Sequence, residues 1–212
     1  MNHDFKKLNR FTSIPFLTDM LQRKKLSLVN PAFWEDFNDR ETVELYRKAM
    51  NANSVYALCF GYKNETIHHW NAFAGGPSGC CIEFSPGRLL PLLDTHGIRH
   101  GKTQYIRVRD LHLLPCKKED LPFVKREPFN PENEYRLIAT SNKAQEPTLD
   151  IDIDLNIIRR ITISNKMPEQ VYNSCKAMLQ QMLQGYRCKI HRSTLYRNED
   201  WIAHFGNAQN IQ

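Results

Sequence analysis

The sequence predicts an α+β fold, a single domain over residues 1–212 with a mostly antiparallel sheet and a few flanking helices. Two helical segments stand near the start, many short strands fill the middle, and one long amphipathic helix comes late. Neither a βαβ repeat nor a glycine-rich phosphate loop interrupts that order, which argues against a parallel doubly wound sheet. At 212 residues and 41% hydrophobic, the chain is long enough to bury one substantial core.

SIPFLTDMLQRKK, residues 13–25, has a capping serine, an early proline and Leu17, Met20 and Leu21 at helical spacing, so a short helix is expected. LSLVN, residues 26–30, returns as a strand. In FNDRETVELYRKAM, residues 37–50, Asn38 is followed three residues later by Glu41, which reads as a capping box opening a second helix. SVYALCFGY (54–62) and GCCIEFS (79–85) are β-branched, aromatic and cysteine-rich runs bounded by Gly, Pro and Asn, the pattern of buried strands. HHWNAFAGGPSG between them is read as an extended segment ending in a turn.

TQYIRVRDLHLL (103–114) and LDIDIDLNIIRRITIS (149–164) read as alternating strands, the second with Leu149, Ile151, Ile153 and Leu155 on one face. ATSNKAQEPTLD (139–150) reads as a loop within the domain. PEQVYNSCKAMLQQMLQG (168–185) carries Val171, Cys175, Met178, Leu179, Met182 and Leu183 on one core-facing stripe, with Gly185 as its stop.

Lys plus Arg number 29 against 23 Asp plus Glu, a net charge of +6 and a pI near 9.0, which fits an anionic partner such as nucleic acid or a nucleotide. The two local basic runs, QRKK (22–25) and RHGK (99–102), read as solvated faces. No apolar run reaches membrane-spanning length and MNHDFKKLNRF lacks the apolar stretch of a signal peptide, so a cytoplasmic protein without a membrane partner is expected. Cys59, Cys80, Cys81, Cys116, Cys175 and Cys188 fall at irregular spacing in or beside apolar stretches, as reduced buried thiols do.

ENEYRLIA, residues 132–139, sets two carboxylates two residues apart at the mouth of an apolar run. On a strand Glu132 and Glu134 would share a face, where repulsion raises the proton affinity of one of them and suits it to acid–base work; a solvated strand edge would look the same. Metal ligation is not expected: only Cys188 and His191 have ligand spacing, and in extended chain His68 and His69, like Cys80 and Cys81, point apart. No G-x-S-x-G elbow is present. Trp34, Phe37, Tyr62, Trp70 and Phe73 lie near loops, where they serve either base stacking or the core.

Five fragments in order, NRFTS (9–13), PAFWEDFND (31–39), HHWNAFA (68–74), GCCIEF (79–84) and FNPENEYRL (129–137), resemble a bacterial family known only as domain of unknown function family 2971. That family shows Y-[RK]-[FY], P-x-x-F-N-D-P, M-W-x-x-Y-A, G-x-C-I-x-F and W-x-x-E-x-E-x-R in the same succession. The fragments span about the first two thirds of the chain, with Arg40 in place of proline, Phe73 of tyrosine and Phe129 of tryptophan.

The layout is also similar, remotely, to the ADP-ribosyltransferases, which have a small split β-sheet. This resemblance implies an enzyme that takes NAD as co-substrate, with Arg10, Phe11, Thr12 and Asn38 in its binding set and Trp70 or Phe73 stacking on nicotinamide or lining the pocket. It implies Glu134 as the catalytic carboxylate, Glu132 orienting or deprotonating the acceptor, and Arg136 pairing with a carboxylate or the pyrophosphate. The acceptor is expected to be nucleic acid, RNA before DNA, or protein, in a toxin or phage-defence setting with an antitoxin partner. A non-catalytic nucleic-acid-binding module and a metal-dependent nuclease are the rival readings.

Overall fold

A computed structural model describes residues 5–114 and 117–206; Cys116 lies outside the described residues. The chain opens with strand β1 (Leu8–Ser13), and Ser13, in extended backbone, starts helix α1 (Ile14–Arg23) with Pro15 in its first turn. The helix buries Leu17, Met20 and Leu21 as their spacing predicts and stops at Lys24, whose φ of 53° turns the chain into β2 (Lys25–Val29). Helix α2 (Phe37–Ala49) follows. Its cap is Asp36, not Asn38: the Asp36 carboxylate accepts from the backbone N–H groups of Asn38 and Asp39.

Strand β3 (Ser54–Gly61) leads to α3 (Ile67–Phe73), β4 (Gly79–Phe84) and α4 (Pro86–Thr95). The HHW segment is thus helical rather than extended, because Thr66 caps it by accepting from the His69 N–H. Gly79 has no substitute: a Cβ there would sit 1.9 Å from the Ala74 carbonyl oxygen. Helix α4 has no counterpart in the sequence reading, although a Ser-Pro start and buried Leu89, Leu90 and Leu93 mark it.

RHGK forms strand β5 (Arg99–Lys102), not a solvated face, with Arg99 over the rings of Tyr46 and Phe123. The alternation of residues 103–114 yields only β6 (Gln104–Ile106) before a 3-10 segment at Val108–Leu113. Further 3-10 turns at Lys118–Phe123 and Glu127–Glu132 flank β7 (Val124–Arg126). Strand β8 (Glu134–Ser141) and β9 (Thr148–Asp152) invade both ends of the expected loop 139–150, and a 3-10 turn separates β9 from β10 (Ile158–Ile163). Helix α5 (Glu169–Met182), β11 (Lys189–Arg192) and α6 (Glu199–Gly206) complete the order. Of the expected six-residue stripe on α5, Leu179 and Leu183 are buried and Cys175 and Met182 pack against the core, whereas Val171 and Met178 face out and Tyr172 packs in as well.

The main sheet runs β11-β10-β4-β1-β3-β2-β9, with β8 on β3 and β5 on β8; all these pairs are antiparallel except β10 with β11. On one side β3 pairs along its whole length with β8, from Ser54 with Ser141 to Gly61 with Glu134. On its other side β1 joins only at Asn9 with Gly61 and β2 only at Val29 with Ala57, so the sheet splits along β3 around Cys59.

One face carries the large core of Leu8, Phe60, Ile82, Phe84, Leu137 and Ile161 under α1, α4 and α5. On the other, α2 covers β3 and β8 through Val43, Tyr46, Val55, Ala57 and Ile138. Among the described residues no helix is long and apolar enough to cross a membrane.

Candidate active site

Glu134 and Arg136 begin β8 on the face covered by α2, where apolar neighbours would be the usual occupants. Arg136 is 0% exposed. A buried guanidinium needs acceptors for its N–H groups, and each nitrogen has one. Nη1 and Nη2 donate to the two Asp39 oxygens at 2.8 and 2.7 Å, Nη1 also to the Pro122 carbonyl at 2.8 Å, and Nε to Glu134 at 2.5 Å. The Trp34 ring closes the guanidinium from above, its centroid 4.9 Å from Cζ.

Lys125, on β7, reaches the same point. Its ammonium lies 2.7 Å from Glu132, 3.4 Å from Glu134 and 3.6 Å from Asp39, and 4.7 Å from the Phe129 ring centroid. Glu132 and Glu134 do not share a strand face as expected, because Glu132 ends a 3-10 turn and Asn133 between them takes a left-handed φ of 44°. They converge all the same, through the one lysine.

The two carboxyls differ sharply in proton affinity. Burial pushes Glu134 up, but Arg136 and Lys125 outweigh it, and the Cys59 thiol hydrogen-bonds it, so it is held down at about 2. For Glu132 burial outweighs Lys125, the nearby Glu134 charge adds to the rise, and the group is raised to about 7. Glu134 is therefore an ionised carboxylate at neutral pH, and Glu132 exchanges its proton there.

His69, buried on α3, hydrogen-bonds the Glu132 carbonyl through Nε2 at 2.8 Å and Thr66 through Nδ1 at 2.8 Å. A carbonyl only accepts, so Nε2 carries the proton and Nδ1 accepts from the hydroxyl. Burial lowers the His69 pKa and the Glu132 carbonyl opposes that shift, so the ring is neutral. It stacks on Phe11 at 4.9 Å, and Phe11 meets Trp70 edge-on at 5.7 Å, in a small core with Ala74 and Cys81. The Tyr105 hydroxyl accepts the Glu134 backbone N–H at 2.9 Å. Tyr105 also lines a cavity of about 380 Å³ with Gln104, Arg107, Asp110 and Glu127, which none of Asp39, Lys125, Glu132, Glu134 or Arg136 lines.

Arg10 lies in the seam where β1 leaves β3. Its Nη1 donates to the Cys59 carbonyl at 3.3 Å, and among the described residues no carboxylate pairs with it. Burial lowers its pKa, as it does for a cation lacking a counter-ion.

The structure thus gathers Glu132, Glu134 and Arg136, whereas Arg10 turns to the other face of the sheet, opposite Ile82, and reaches this region only at the Cys59 carbonyl. Thr12 lies further along β1 opposite Cys80. Asn38 is exposed on α2, next to Asp39 but turned toward Asp36. Trp70 is a packing residue rather than a free stacking surface: it is 5% exposed and its Nε1–H donates to Glu65 at 2.6 Å. Phe73 is 46% exposed and touches His68 edge-on. Arg136 pairs with carboxylates and has no nitrogen left over for a pyrophosphate.

Asp39, Lys125 and Tyr105 escaped the sequence reading, and Trp34 and His69 were named there without these roles. Asp39, Trp34 and His69 had a signal in the PAFWEDFND and HHWNAFA fragments; Lys125 and Tyr105 had none. Among the described residues no group of three or more His, Cys, Asp or Glu side chains is arranged to hold a metal ion; the point between Glu132 and Glu134 belongs to the Lys125 ammonium. The five described cysteines are free.

No protein-family model matches the chain, family 2971 included, and no curated protein matches its sequence. Among solved structures the chain is similar to Thermus sp. 2.9 DarT in complex with NAD+, at 10% identity over 95% of this chain and 99% of that one, with a TM-score of 0.44. It is similar to the same protein in complex with carba-NAD+ at 11% identity over 94% and 99%, TM-score 0.43. With ADP-ribosylated ssDNA the values are 13% identity over 95% and 99%, TM-score 0.46. Likenesses this distant transfer no residue roles.

Proposed function

We propose that this chain is an NAD-dependent ADP-ribosyltransferase that moves ADP-ribose from NAD to a nucleic acid. One observation carries the reading: Arg10 stands in the split of the sheet without a carboxylate partner among the described residues, bonded to the carbonyl of Cys59, whose thiol meets the ionised Glu134 on the other face of the sheet. Lys125 and Arg136 have Asp39, Glu132 and Glu134 as partners, whereas Arg10, outside that cluster, has no anion of its own among the described residues, and a pyrophosphate supplies one.

In this reading Arg10 holds the pyrophosphate, with Thr12 and Asn38 at the margins of the binding region and the exposed Phe73 ring open to stacking. Cleaving the nicotinamide–ribose bond builds oxocarbenium character at the ribose, and the fixed Glu134 charge stabilises it while accepting a hydrogen bond from a ribose hydroxyl. The nucleophilic atom of the acceptor bonds to the anomeric carbon, nicotinamide leaves with the electron pair of the broken bond, and the acceptor's proton passes to Glu132. Arg136 and Asp39 keep Glu134 in place. Phe11, His69 and Trp70 form the wall behind Glu132.

The net charge of +6 favours a polyanionic acceptor such as RNA or DNA. We read the setting as a toxin or phage-defence role with a neutralising partner protein. The test is incubation with NAD labelled in its adenylate half, together with RNA, single-stranded DNA or cell lysate. Wild type should release nicotinamide and label an acceptor, and Glu134→Gln should lose at least about a hundredfold in rate while keeping its fold. Binding of nucleic acid without any consumption of NAD would replace this reading with that of a binding module.

A further inference from the structure

Asp39, Glu132 and Glu134 are closed into one buried cluster with only Lys125 and Arg136 to balance them, so with all five ionised it carries one net negative charge. A buried excess charge is relieved by a proton, and the partners decide where that proton resides. Asp39 has the Arg136 fork on both oxygens. Glu134 has Arg136, Lys125 and the Cys59 thiol. Glu132 has Lys125 as its one cation, and among the described residues its only other side-chain partner is the Glu134 carboxylate, which favours a proton between them.

We propose that Lys125 is a positioning residue: its single ammonium, shared among three carboxylates, holds Glu132 as the group that gives up and takes back the cluster's one proton. The ammonium cannot drift toward one partner, because the Phe129 ring lies over it and Asp39 on α2, Glu134 on β8 and Glu132 on the 3-10 turn approach from separate elements. The remaining groups around it keep their protons or their charges: Tyr105 on β6, whose hydroxyl burial pushes far up; Cys59 on β3, likewise; Arg136 on β8; and neutral His69 on α3, at the Glu132 backbone.

As a statement about catalysis this rests on the transferase reading, in which Glu132 receives the acceptor's proton. Removing the ammonium takes away the favourable charge on ionised Glu132, so its titration must move to higher pH, by about one to three pH units for an opposite charge at this range. A merely structural lysine would lower the rate equally at every pH.

The experiment follows the Glu132 carboxyl carbon by NMR, assigned by its absence in E132Q, across a pH titration of wild type, K125M and K125R, alongside the pH profile of NAD cleavage. Support is an upward move of the Glu132 midpoint and of the alkaline-recovering limb of activity by the same amount in K125M, with K125R restoring both. An unmoved midpoint, or a rate loss uniform in pH, overturns the proposal. Should K125M fail to fold, K125M/E134Q against E134Q, with the net charge of the pair altered less severely, decides the NMR arm. A wild type that cleaves no NAD sinks the transferase reading by itself, and the NMR arm still decides whether Lys125 governs Glu132.

Discussion

Replacing Glu132 by Gln isolates the buried proton of this cluster as a stability term. Glu132 is raised from the ordinary 4.5 to about 7, so between those values the folded protein holds a proton that the unfolded chain has released. A group whose folded affinity is raised contributes stability that is present below 4.5 and lost as pH rises through about 7. At about 1.4 kcal/mol per pH unit, the loss is roughly 3 kcal/mol, largely complete by about pH 8. His69 acts with the opposite sign: its affinity is lowered, so its contribution is present above 6.5 and fades as pH falls.

Glutamine mimics the protonated carboxyl and leaves Lys125 beside Glu134 and Asp39, so no cation is orphaned. Urea denaturation of wild type and Glu132→Gln between about pH 5 and about pH 8 should show wild type weakening by roughly 2.5 kcal/mol relative to the variant, His69 cancelling in the difference. Two curves that stay parallel across this window would refute the charge assignment.

Arg136→Met strands Asp39 and Glu134 with the Lys125 ammonium alone and should cost about 3 to 5 kcal/mol by chemical denaturation. Arg136→Lys should recover only part of that, since an ammonium cannot reproduce the two-pronged bond to Asp39. The thiols of Cys80 and Cys81 are pushed up by burial, Cys80 to about 12, so at neutral pH iodoacetamide should modify the half-exposed Cys175 first and reach them only on unfolding, as read by mass spectrometry.

What could be read from the sequence was whatever local spacing decides. The apolar runs of β3, β4 and β8, the helix starting after Ser13, whose side chain makes no capping bond, and the carboxylates before Arg136 all lie within a few residues of their own signals. Asp39 and Arg136 stand 97 residues apart, and no local pattern announces such a pairing. Lys125 sits in a polar VKREP run that looks like any solvated surface until two 3-10 turns fold it inward. Short helix α3 lacks a long apolar period, so its seven residues read as extended and the role of His69 was missed with it. The pair Glu132 and Glu134 was found for a reason the structure changes: a left-handed Asn133, not strand periodicity, brings them to one cation.

The cluster is an expensive way to join α2 to the sheet. Well-packed apolar side chains of similar volume usually serve a core at least as well as a buried ion pair, often better by about 1 to 4 kcal/mol. Val43, Tyr46 and Ile138 do that work a few ångströms along the same interface. Stability therefore gives no reason for three carboxylates and two cations at the end of β8, still less for a third cation, Arg10, set in the adjacent seam without a carboxylate. A fixed anion, an exchangeable proton and an unmatched arginine are what a reaction on an anionic sugar donor requires, and they lie where the sheet splits along Cys59.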